Sequence, residues 1–168
     1  MDSPTASDVI LFVAAGQSLA INTFEFAICR TKELAYLMLS LKSVVVWLLI
    51  LVLAVLNGGF REVVLLPSIG RQGAFVLSGI LLSSCIVIVA VVFARWLRLR
   101  GLSQCLFAGL IWLCLTLSFE FGFGLFVQER SWAEMLEAYT FKDGNIWPLV
   151  LVVTFLAPLL AARIRSNT

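Results

Sequence analysis

The chain has 168 residues, of which 61% are hydrophobic and 13% charged, with no histidine and a mean hydropathy of +1.04. Soluble domains are about half apolar and about a quarter charged, so water is excluded as the main solvent of these side chains. Twelve basic against ten acidic residues is too even a balance for nucleic-acid binding, and the basic residues are scattered among short connections.

In chain order, the N-terminus carries Asp2 and Asp8 and no Lys or Arg ahead of the first apolar stretch, the reverse of a secretory leader. Residues 1–36 form a separate segment in which residues 9–28 have the length of a span, weakened by Gln17, Ser18, Asn22 and Glu25. Ser18, Asn22, Glu25 and Cys29 recur at spacings that make one polar stripe on an otherwise apolar helix. Three readings stay open: an amphipathic helix on the cytoplasmic surface, which is preferred, a fifth span, or a tail.

A bilayer core about 30 Å thick needs about 20 helical residues. Four blocks meet that requirement, at about 37–56, 74–94, 105–127 and 146–162. Lys42 lies close enough to the start of the first to snorkel. Asn57-Gly58-Gly59, Pro67, Gly101 and Asp143-Gly144 supply the expected punctuation. Arg30, Lys32, Lys42, Arg95, Arg98, Arg100, Arg163 and Arg165 fall on one side of these spans. Arg61, Arg71, Arg130 and Lys142 fall on the other, diluted by Glu62, Glu129, Glu134, Glu137 and Asp143. The excess of cations predicts both termini on the cytoplasmic face of a bacterial inner membrane. The expected fold is all-α, a single four-helix membrane domain over 37–168.

The connection after the third span carries Ser131-Trp132-Ala133-Glu134, the pattern of a capping box. Trp132, Met135, Leu136 and Tyr139 follow at i, i+3, i+4 and i+7, predicting a short helix on the outer surface. Trp132, Tyr139 and Trp147 are then expected in an aromatic belt on that side, with Trp96 at the cytoplasmic edge.

Chemistry concentrates at one place. Glu120 interrupts the third span, sharing a helix face with Thr116 and Gly124. An ionisable group inside a bilayer is by default a functional candidate. Arg61, at matching depth and four residues from Asn57, is its expected ion-pair partner, with Glu62 pointing away. The pair can act as a register lock or line a pocket. Gly79 and Ser83 form a small-xxx-small pattern for close helix approach, and Pro158 removes the donor to the Thr154 carbonyl, predicting a kink. The cysteines form no CxxC pair and, without histidine, no metal or cofactor site is expected.

Taken together, Asn57 through Glu62, Phe119 through Gly124 and Ser131 through Tyr139 resemble a group of small bacterial four-helix membrane proteins to which no activity is attached. The likeness covers about 37–162 and implies the four-helix fold alone. The expected function is a non-catalytic binding or structural bundle partnered by the lipid bilayer, a further protein or another copy of itself. The alternatives are a small proton-coupled transporter using Glu120 and Arg61, and an enzyme acting on a lipid or quinone at the outer leaflet.

Overall fold

The computed structural model describes residues 6–99, 101–137, 139–141 and 144–166, with backbone alone for 6–24, 27–29 and 166. Arg100, Lys142 and Asp143 of the expected charge pattern, and the Ser18, Asn22 and Cys29 side chains of the expected polar stripe, lie outside the described side chains. The described residues are helical apart from short connections: α1 (Ala6–Phe60), a π turn (Arg61–Leu65), α2 (Leu66–Leu97), α3 (Leu102–Phe126), α4 (Trp132–Glu137) and α5 (Trp147–Ser166). The chain divides into two compact units, Met1–Met38 and Leu39–Thr168. In the first unit Glu25 and Phe26 are exposed, as are the residues from Arg30 onward. The second unit holds every side-chain contact described below.

Three helical stretches among the described residues are long and apolar enough to cross a membrane: Arg30–Leu97, Leu102–Phe126 and Trp147–Arg165. The first contains both of the first two expected spans. The helix does not stop at Asn57-Gly58-Gly59, because glycine in a helix interior costs only about 0.5–1 kcal/mol and forbids nothing. The break comes instead after a π turn that starts at Arg61, and it is sharpest at Gly70, whose φ of 73° and ψ of 175° lie in a region only glycine enters readily. Pro67 follows that turn at the start of α2, and having no N–H it cannot donate to the turn before it, although the backbone stays helical through Leu65 and Leu66.

Cross-helix contacts fix the directions of the elements. Lys42 Nζ donates to the Trp96 carbonyl at 3.0 Å and Asn57 Nδ2 to the Ser78 carbonyl at 3.1 Å, so residues 39–60 run antiparallel to α2. The buried Trp112 indole donates to the Ser43 carbonyl, and Trp47 Nε1 to Thr116 Oγ1, each at 3.0 Å, which sets α3 parallel to that same part of α1. Arg165 reaches the Val91 carbonyl at 3.4 Å, and Gly79 faces Ile146 and Val150, so α5 runs parallel to α2.

The core combines bulky and small residues. Val46, Trp47, Ile50, Leu82, Ile86 and Trp112 fill it, while Ala90, Ala94, Ala157 and Ala161 let backbones approach. Gly109 is the closest approach, since a Cβ there would fall on the Phe155 carbonyl of α5. Leu48, Leu49, Val52, Ile80, Ile88, Val92, Leu110 and Leu149 remain exposed, an apolar exterior suited to lipid. Pro158 lies inside α5, and Thr154 Oγ1 donates to the Val150 carbonyl at 2.8 Å, so the hydroxyl is satisfied locally.

Candidate functional site

The connection from α3 to α5 is built from local signals. Ser131 Oγ accepts the Glu134 N–H at 3.3 Å and Glu134 Oε2 accepts the Ser131 N–H at 3.0 Å, the reciprocal bonds of a capping box. They start α4, whose apolar residues then divide: Met135 is buried against Gly124, while Trp132 and Leu136 are exposed. The Met135 side chain occupies the space a Cβ on Gly124 would take, seating α4 on α3. At the next turn Gly144 adopts φ 78°, as the Asp143-Gly144 pair predicts. Asn145 Oδ1 then accepts the Trp147 N–H at 3.0 Å, satisfying a free donor at the start of α5.

These two turns deliver Tyr139 and Trp147 to one carboxylate. The Tyr139 hydroxyl donates to Glu120 Oε2 at 2.8 Å and the Trp147 indole N–H donates to the same oxygen at 2.7 Å. Glu120, Tyr139 and Trp147 are all half-buried. Burial raises the Tyr139 phenol above its usual range, and donation to Glu120 together with that residue's charge pushes it further the same way. Tyr139 therefore holds its proton and acts as a donor. The Tyr139 ring also stacks on Phe121, with centroids 6.1 Å apart.

The expected Arg61–Glu120 ion pair is replaced by two separate arrangements. Arg61 Nε and Nη2 donate to Glu62 Oε1 at 3.1 and 3.0 Å, and the guanidinium lies 4.5 Å from the Phe75 ring centroid. Consecutive residues on an α-helix diverge by about 100°; the wider π turn and two long side chains bring Arg61 and Glu62 together. Asn57 is committed to Ser78 and Thr116 to Trp47. Of the three expected belt aromatics, Trp132 is exposed at 62% and packs on Phe121. Tyr139 and Trp147 turn their polar atoms to Glu120.

What the structure does bring together is a cavity of about 330 Å³ whose wall includes both Arg61 and Glu120. Arg130 and Gln128 join them from just past the C-terminal end of α3, with Asn145 and Trp147 from the start of α5. Trp47, Ile50, Leu82 and Ile86 make an apolar floor, and Val55, Phe119 and Phe123 are lining residues that are also exposed. Trp47, Phe75 and Asn145 carry no sequence signal of a site, and the pattern of charge gives Arg130 a part in topology alone. Trp47 and Phe75 are ordinary apolar-span residues, and only tertiary packing gives them a polar neighbour.

Comparison with protein families, with curated proteins and with solved structures finds no match to this chain.

Proposed function

We propose that the chain is a four-crossing integral membrane protein that binds a small amphiphilic molecule in the cavity beside Glu120. The alternation of directions supports four crossings: the Lys42–Trp96 and Asn57–Ser78 contacts fold the long Arg30–Leu97 stretch into two passes about Gly70. The distribution of Lys and Arg supports termini in the cytoplasm of a bacterial inner membrane. The observation that carries the binding reading is a carboxylate on a membrane-crossing helix, held by two neutral donors and set in the wall of a cavity of about 330 Å³. A register lock accounts for the donors but not for the space next to them. Polar groups at one end and apolar residues at the other match an amphiphile.

Gly58 supplies the test, because it lines the cavity and a Cβ there meets nothing within 4 Å. Gly58→Phe therefore starts its side chain in open space beside the cavity and extends a ring into it. Mass spectrometry of the purified wild-type protein is expected to show a co-purifying amphiphile that Gly58→Phe loses while its unfolding midpoint is retained. Equal occupancy in both proteins, or none in the wild type, refutes the reading.

A second reading rests on Glu120 alone, an ionisable group open to a cavity in a membrane-crossing helix. Proton flux into liposomes that disappears with Glu120→Gln would favour a coupled transporter.

A further inference from the structure

We infer that the cavity recognises a membrane phospholipid with a primary ammonium in its headgroup, the ammonium on Glu120 and the phosphate on Arg61 and Arg130. This rests on the binding reading above and names its ligand class. The charges in the wall are of both signs, which fits a zwitterion better than a simple anion or cation. Both Tyr139 and Trp147 donate to Oε2 of Glu120, leaving Oε1 to accept an N–H from an occupant. Arg61 spends Nε and Nη2 on Glu62, and its Nη1 hydrogens remain for phosphate oxygens, which guanidinium binds well. The Glu62 carboxylate lies outside the wall, so the Arg61 charge is partly countered without blocking the site.

Size and shape select a lipid over a free headgroup. At about 30 Å³ per water-sized group, the space takes about ten such groups, a phosphate, an amine and the carbons joining them. Two acyl chains do not fit within it. Val55 on α1 and Phe119 and Phe123 on α3 line the cavity and are exposed at 59%, 37% and 41%, giving the chains a lateral, apolar way out into the bilayer. An ammonium has N–H donors for a carboxylate and a trimethylammonium has none, so Glu120 separates ethanolamine from choline lipids.

The test is native mass spectrometry of the full chain in detergent, titrated with phosphatidylethanolamine, phosphatidylcholine and phosphatidylglycerol of identical chains. The ethanolamine lipid is expected to bind at least ~10-fold better than the choline lipid, the usual scale of one charge-assisted hydrogen bond. Glu120→Gln should erase that preference, and Arg61→Gln should weaken both lipids alike. Equal wild-type binding of ethanolamine and choline lipids, or dominance of the glycerol lipid, overturns the inference while leaving the binding reading intact. Displacement of the lipid by free phosphoethanolamine at comparable concentration overturns the lipid as source. Failure of all three lipids to bind, with Gly58→Phe indistinguishable from wild type, sinks the binding reading itself. The wild-type comparison decides the matter even if Glu120→Gln fails to fold.

Discussion

Alanine at Gly109 and alanine at Gly122 are the same substitution on the same helix, yet they should move stability in opposite directions. At Gly109 the new Cβ falls on the Phe155 carbonyl oxygen, a backbone atom of α5 that cannot rotate aside, so α3 and α5 must separate. Overpacking of this kind costs about 1–3 kcal/mol, and the gain of about 1 kcal/mol from replacing helical glycine offsets part of it. The net expectation is a loss of up to about 2 kcal/mol, toward the upper end because the clash is with backbone. At Gly122 a Cβ meets nothing within 4 Å, and only the helix-forming gain of about 0.5–1 kcal/mol remains. Unfolding by sodium dodecyl sulfate in mixed micelles, followed by tryptophan fluorescence, reads both variants against wild type. Gly109→Ala at or above wild-type stability, or the two variants shifting the same way, would refute the close α3–α5 approach.

Tyr139→Phe and Trp147→Phe each remove one donor from a carboxylate and should each cost about 1.5 kcal/mol in the same assay; no loss from either would show that Glu120 does not hold the α3–α5 connection. Because the Tyr139 phenol is raised in the folded state above its ordinary 10.0, its contribution is complete below that value and is lost as pH climbs beyond it. The stability gap between wild type and Tyr139→Phe should therefore be constant from about pH 8 to about pH 10 and narrow above it, and a gap that widens there contradicts the assignment. Glu62→Gln breaks a pair whose side chains are 29% and 56% exposed; it should cost less than ~1 kcal/mol and fade in high salt, whereas an arginine paired with Glu120 in the interior would make Arg61→Gln cost about 3–5 kcal/mol. In a chain stripped of its native cysteines, Gly101→Cys should label from the cytoplasmic side and Glu129→Cys from the opposite side; labelling from one side only rules out the four-crossing topology.

The features legible in the sequence are those decided within a few residues. The Ser131–Glu134 box needs only a spacing of three and a free helix start, and it forms as read. Gly144 takes the positive φ its turn predicts. Glu120 stands out because a charge within an apolar run is expensive wherever the run packs. Its partners do not, since matching depth on two helices says nothing about which way each helix is turned. Arg61 satisfies the depth argument and still faces Glu62 and Phe75. The break between the first two spans is not decided locally for a related reason: Gly58-Gly59 and Pro67 both signal one, but the non-helical conformation falls at Gly70.

Tyr and Trp are the residues for which sequence is most ambiguous in a membrane protein. Each carries an apolar ring and one donor, and the same property places it in an interfacial belt or against a half-buried carboxylate. Tyr139 and Trp147 reach Glu120 because two local devices aim them: Met135 on Gly124 fixes α4, and Asn145 fixes the first turn of α5. Neutral donors suit this position. A cationic partner would neutralise Glu120 and close it to a ligand, whereas a phenol and an indole on Oε2 hold the side chain in place and leave its charge and Oε1 uncommitted. The carboxylate is positioned from the loop side and open on the cavity side, an arrangement that a register lock does not require and a binding site does.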